Sequence, residues 1–283
     1  STASLTLNAP GVITGTPGPD ILIGTNQADS IFGLAGNDII KGLAGNDQID
    51  GGTGRDFADY SDANDGIGIT VDMASGTVTG GSSVGTDTLR SIENIRGTEF
   101  ADVYVATGFN QTSLNNAQDI PIQSGINNTF EGGGGNDNIT GSSGTQASYS
   151  TGDGGTQISY LHALDGVTVD LRAGTAHGTA ANDVAHVGTD TFTQVSGVIG
   201  SNYNDTLLGT DSVPHVDAFF GGAGNDFIDG RIGYDIVTYY YFFVPSVVTG
   251  VISVDLAAGT VTGESSVGTD TLLSIELIRG TQF

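Results

Sequence analysis

Aspartate recurs at positions 20, 29, 38, 47 and 56, an unbroken ladder in steps of nine. A nine-residue period belongs neither to a helix nor to a simple strand, so it marks a repeat in which turn and strand alternate. In GLAGNDIIK GLAGNDQID GGTGRDFAD, starting at Gly33, each block has glycine first, glycine fourth and aspartate sixth. Two residues after each aspartate stand Leu22, Ile31, Ile40, Ile49 and then Ala58, so one apolar side chain per nine residues faces a common side. The first and fourth glycines are expected to take positive φ, and the Asn-Asp or Arg-Asp pair after them favours a tight turn. Two nonapeptides then close one coil of 18 residues, and turns on the same side stack at about 4.8 Å. Asp20, Asp38 and Asp56 would line one edge of such a coil, and Asp29 and Asp47 the other.

A second ladder runs through Asp217, Asp226 and Asp235, with Phe219, Ile228 and Val237 in the apolar slot and Asp205 leading in after an insertion. A poorer one holds Asn128 and Asp137, followed by Phe130 and Ile139, before Gln146 takes the acidic place and the register dissolves. A longer repeat overlies these. Tyr60, Tyr160 and Tyr239 each open a segment that reaches VDMASGTVTG, VDLRAGTAHG or VDLAAGTVTG and then VGTDT. These segments alternate apolar and polar residues, are rich in Val, Ile and Thr, and show no helical period, so they are predicted to be strands between glycine turns. The chain thus divides into a lead-in (1–14), a first nonapeptide block (15–59), a β-rich spacer (60–105) and an insertion or degenerate coil (106–131). A degenerate second block (132–152), a second spacer (153–205), a third block (206–238) and a third spacer (239–283) follow. The spacers end in GTEFAD and SNYND, which re-enter the pattern at Asp102 and Asp205; the third stops at Phe283, short of the matching aspartate, as expected of a piece cut from a longer array.

Charge decides what can bind. There are 32 acidic and 7 basic residues, a net charge of -25, which excludes charge-driven association with nucleic acid or an anionic membrane. Cysteine is absent, so neither disulfides nor thiolate metal sites stabilise the fold. No apolar run is long enough to span a bilayer, and no signal peptide begins at Ser1, so export would need a signal outside this segment. Stacked carboxylates repel by about 1 kcal/mol in water and by more where solvent is excluded. One Ile or Leu per nine residues does not offset the ordering of nine backbones. A hard divalent cation between turns, held by two carboxylates and several turn carbonyls, removes the repulsion. Flexible oxygen-rich turns suit Ca²⁺ better than Mg²⁺, and zinc lacks its usual ligands.

The blocks resemble the GGxGxDxUx nonapeptide of RTX, or hemolysin-type calcium-binding, proteins. The resemblance implies an all-β fold, a right-handed parallel β-roll or β-helix with calcium in the turns, with type I secretion and folding triggered by extracellular Ca²⁺. Carried onto this chain, the side-chain metal ligands are Asp20, Asp29, Asp38, Asp47, Asp56, Asp102, Asn128, Asp137, Asp205, Asp217, Asp226 and Asp235. The carbonyl ligands are those of Gly33 and Ala35, Gly42 and Ala44, Gly51 and Thr53, and Gly221 and Ala223. Gln27 and Gln146 depart from the pattern. The expected function is that of a calcium-binding structural or interaction module of a secreted, extracellular or cell-surface adhesin-like protein, with no catalysis of its own. Its partners would be calcium and a cell surface, a matrix or neighbouring repeats. The alternative is the secretion and folding module of an exported protease, lipase or epimerase whose catalytic domain lies outside this chain.

Other motifs compete. GSSVG (81–85) fits the GxSxG of serine hydrolases, but that motif needs a strand, an elbow and a helix, and Glu264 replaces its first glycine in the third spacer. His177 and His186 flank an extended loop with Asp183 nearby, but the other spacers lack both histidines, so this is read as a solvated loop in preference to a transition-metal site. Asp72, Asp170 and Asp255, and likewise Asp87, Asp190 and Asp270, are read as turn caps in preference to further metal ligands. YYYFFVP (239–245) is read as a buried strand with a local insertion, the alternative being a binding patch, and paired carboxylates for glycoside chemistry are accounted for by calcium.

Overall fold

In the computed structural model, residues 2–6, 9–110, 113, 115, 128–142, 155–213, 215–240 and 250–281 are described. The expectations for Gln146, for most of 106–127 and for Tyr241 to Pro245 fall on residues outside that set. Among the described residues every regular element is a strand, and the strands form two walls, one of 11 and one of 16 strands. The fold is an all-β parallel β-roll.

Successive nonapeptides alternate between the walls, so strands 18 residues apart become neighbours. Ile21 pairs with Ile39 and Ile39 with Phe57 on one wall, and Ile31 pairs with Ile49 on the other. The side chain two places after each aspartate points inward and stacks on its counterpart. One column runs Leu22, Ile40, Ala58, Ile95, Phe130, Ile158, Val198, Phe219 and Val237 through parallel pairings, with one register shift between Thr156 and Gln157. All of these are buried. Where the column widens, Tyr104 stacks on Phe130 at a centroid distance of 4.7 Å and ties the two walls together.

The spacers are coils of the same roll. In the first, Thr70–Asp72, Thr77–Thr79 and Thr86–Arg90 form an antiparallel meander whose outer strands run parallel to Val103–Val105 and Gln48–Asp50. The chain therefore overshoots along the roll axis, doubles back to fill the gap, and crosses to the other wall as Asn94–Arg96. The second and third spacers repeat this with Val167–Asp170, Thr175–Gly178 and Thr189–Thr193, and with Ser253–Asp255, Thr260–Thr262 and Thr269–Leu273. A hairpin glycine with left-handed φ (Gly76, Gly174, Gly259) makes each doubling-back possible, and its carbonyl accepts the N–H of Leu89, Phe192 or Leu272.

The turns correct one expectation. Positive φ falls on the fourth position (Gly36, Gly45, Gly54) and on the second (Leu34, Leu43, Gly52), not on the first. The first-position glycine is required for space instead, because a Cβ at Gly33 would overlap both the Asp38 carboxylate and the Gly51 carbonyl oxygen. Leu34 holds φ at 78° with 45% of its surface exposed, so it bears the strain of a left-handed L-residue with little burial in return. Leu34→Gly is expected to raise the stability of the folded roll by about 1 kcal/mol, measured as a shift of the guanidinium midpoint in saturating calcium.

Candidate metal sites

Along each edge of the roll, the main-chain N–H of one aspartate donates to the carboxylate of the next aspartate one coil further on. Asp20 donates to Asp38, Asp38 to Asp56 and Asp29 to Asp47, each at 2.8 Å. The same contact joins Asp102 to Asp137 at 2.9 Å, Asp205 to Asp226 at 2.9 Å and Asp217 to Asp235 at 3.0 Å. It also runs beyond the nonapeptide blocks. Asp47 donates to Asp87, Asp137 to Asp190 and Asp226 to Asp270, at 2.8, 3.0 and 3.0 Å. On the opposite edge Asp56 donates to Glu93 and Asp235 to Glu276, at 2.9 and 2.7 Å. The aspartates of this ladder are all buried.

The rungs differ in what meets the rest of the carboxylate. In the leading turn of each run, a Thr or Ser at the second nonapeptide position caps its own aspartate: Thr16 on Asp20, Thr25 on Asp29, Thr98 on Asp102, Ser201 on Asp205 and Thr210 on Asp217. In the spacer corners a tyrosine does so, with Tyr60, Tyr160 and Tyr239 donating to Oδ2 of Asp87, Asp190 and Asp270 at 3.0, 2.9 and 2.7 Å. Between them, Oδ2 of Asp38, Asp47, Asp137, Asp226 and Asp235 is buried without a hydrogen-bond partner. A buried, unpartnered carboxylate oxygen is strongly unfavourable unless a cation meets it.

Carbonyl oxygens gather at the same places. On Gly33 converge Asp38 Oδ2 and the Gly51 carbonyl, on Gly24 Asp29 Oδ2 and the Gly42 carbonyl, and on Gly200 Asp205 Oδ2 and the Gly221 carbonyl. The carbonyls of Gly42, Gly51 and Gly221, and that of Gly33 at Gly15, so lie beside a ladder carboxylate. Thr53 is less free than expected, because its carbonyl accepts the Gly36 N–H at 2.8 Å while its N–H donates to Leu34. Ala35 is bridged to Thr53 in parallel register, and Ala44 and Ala223 occupy the matching third positions of their own turns. Asn128 lies apart from the ladder: its Oδ1 accepts from Tyr104 and Thr156, both at 2.7 Å, within the roll. Among the described residues no three His, Cys, Asp or Glu side chains converge on one point. The donors on each edge are therefore one or two carboxylates with main-chain carbonyls, a hard-oxygen set that fits Ca²⁺ and, when bound, lets it neutralise the stacked charge.

Burial sets the electrostatics. It pushes Asp226 up to about 8 and Asp47 up to about 7, with the facing aspartates adding to the effect, and it pushes Asp38 and Asp235 up to about 6. Asp137 and Asp190 are raised by burial as well, and for Asp137 the facing Asp190 adds to it.

Asp87, Asp190, Asp270, Glu93 and Glu276, read from sequence as caps or not singled out, are members of the ladder. The signal was present: Leu89, Phe192, Leu272, Ile95 and Ile278 follow these acids at the same two-residue offset as every apolar slot. Asp72 and Asp255 do cap their turns, accepting N–H groups from Ala74 and Ser75, and from Ala257 and Ala258. Asp170 caps Ala173 and also takes a two-pronged contact from Arg231 at 2.8 Å, which staples the second spacer to the third block. Asp183 gives its two oxygens to the N–H groups of Val187 and Gly188, and His177 turns to the Gly178 carbonyl, so these side chains do not assemble a metal cluster. GSSVG forms the turn between two meander strands, where the Ser83 N–H donates to Asp65.

Two outcomes follow. Tyr160→Phe leaves Asp190 Oδ2 buried without its donor and is expected to cost about 1–3 kcal/mol, read from chemical denaturation of the calcium-free chain at pH 5. The raised carboxylates carry a sign: in the calcium-free chain their contribution is complete below about pH 4 and is lost as pH rises through about 6 to 8. Circular dichroism of calcium-stripped protein is expected to show most strand content near pH 4 and progressive loss toward pH 8.

A family model described as RTX calcium-binding nonapeptide repeat (4 copies) matches residues 14–45, 23–58, 33–67, 124–145 and 217–237. Comparison with curated proteins gives no match. Among solved structures, the extracellular lipase LipA from Serratia marcescens aligns over 94% of this chain and 38% of its own, at 13% identity and a TM-score of 0.27, a likeness too weak to carry an argument. The chain thus spans little more than a third of that lipase's length. Within the matched residues, the turns with their glycines, aspartate ladder and unpartnered carboxylate oxygens are RTX calcium-binding nonapeptide repeats.

Proposed function

We propose that this chain is a calcium-gated structural module that folds outside the cell, as part of a secreted or surface-attached adhesin-like protein, and has no catalytic task of its own. The observation that carries the reading is the row of buried, unpartnered oxygens on Asp38, Asp47, Asp137, Asp226 and Asp235. At neutral pH such a row opposes folding without a divalent cation, and with one it becomes the fastening between coils. Where free calcium is scarce the acidic chain stays extended and fit for export; at the millimolar calcium of an extracellular space, a range in which extracellular calcium modules bind, it closes. The three-fold repetition of the long spacer favours a scaffold over a single terminal module, since each copy adds another length of roll of the same kind. Calcium titration at pH 7.5, followed by far-UV circular dichroism and reversed with EDTA, is expected to show strand content rising cooperatively with calcium and lost with chelator. Equal strand content in both conditions would sink the proposal.

A further inference from the structure

Each spacer meets the calcium ladder at both of its edges, and it treats the two differently. On the edge of the 16-stranded wall, the corner brings up Asp87, Asp190 or Asp270 with Oδ2 already held by a buried tyrosine. The turn around this corner is filled by Val84, Val187 or Val267, each at most 2% exposed. No carbonyl of the corner is among the atoms nearest the glycine it faces: at Gly42, Gly132 and Gly221 the closest oxygen is that of the glycine's own aspartate. On this edge the unpartnered oxygens are Oδ2 of Asp47, Asp137 and Asp226, while the corner acid is held by its tyrosine.

The other edge is built in the opposite way. In the third spacer, Ser274 takes a left-handed φ of 51°, and this turns its carbonyl toward Gly230, where Asp235 Oδ2 also points. Asp235 is fully buried and its Oδ2 has no hydrogen-bond partner. Glu276 Oε2 accepts the Asp235 N–H at 2.7 Å, the place a sixth-position aspartate fills on the ordinary rungs. The corner is shorter than a nonapeptide turn, with only Ile275 between Ser274 and the acid, and the extra methylene of glutamate spans the difference. The first spacer repeats the arrangement: Ser91 has φ 50°, its carbonyl and Asp56 Oδ2 converge on Gly51, and Glu93 Oε2 accepts the Asp56 N–H. In the second spacer Gln194 keeps the left-handed φ, but Ser196 stands in place of the acid.

We propose that Glu276 with Asp235 and the Ser274 carbonyl, and Glu93 with Asp56 and the Ser91 carbonyl, form two further calcium sites outside the nonapeptide pattern. The spacers so extend the metal ladder along the edge that carries Asp56 and Asp235. The inference rests on the calcium reading above. Bound ions are counted by native mass spectrometry on the full chain at saturating calcium. Glu276→Gln keeps a side-chain acceptor for the Asp235 N–H and is expected to hold one ion fewer than the parent, with an unchanged circular dichroism spectrum. An undiminished count for Glu276→Gln overturns the proposed site. A parent chain that holds no ions would instead sink the calcium reading itself.

Discussion

The structure depends on one contact between coils, in which an aspartate main-chain N–H donates to the carboxylate of the aspartate above it. This contact fixes the stacking register of the turns and, with it, the register of both walls, because each strand begins immediately after its aspartate. It also brings a column of like charges into a buried environment where they cannot stay ionised unaided. The hydrophobic columns inside the roll are continuous but thin. They give the walls a common face without supplying a reason for the coil to close at neutral pH. The register of the fold and the gathering of buried charge are therefore the same fact seen from two sides.

Much of this is visible in the residues. The step of nine, doubled to 18, specifies alternating walls, and the offset from aspartate to apolar residue specifies which side chains point inward, as Leu22, Ile40 and Phe219 do. The spacers were harder to read because their corners spell the turn differently. VGTD preserves only the second half of the nonapeptide, and SIEN replaces aspartate with glutamate at a shortened corner, so Asp87 and Glu93 look like local caps until the register of the strands after them is known. The position of strain was also hidden. A sequence shows where glycine occurs, but Leu34, Leu43 and Arg231 show that the left-handed second position need not hold glycine, whereas the first and the fourth positions leave no room for a Cβ.

Tertiary demand overrides the ladder at Asn128. Its place in the nonapeptide count suggested a ligand, yet Tyr104 and Thr156 both donate to it. The stacking of Tyr104 on Phe130 requires the phenol to enter the roll, and the phenol needs an acceptor there. A polar residue at a repeat position is recruited by whichever neighbour has the greater need, and here that neighbour is an aromatic hydroxyl.

The unequal walls have a geometric consequence. Each meander places three strands on one wall where a nonapeptide places one, which is what makes the 16-stranded wall of the described residues the longer of the two. Relative to an even coil, every spacer lengthens one wall by two strand spacings, about 10 Å. Two faces of different length joined at every coil favour bending, so a roll built from such repeats is expected to curve with the meander side outermost, the spacing of its spacers setting the radius.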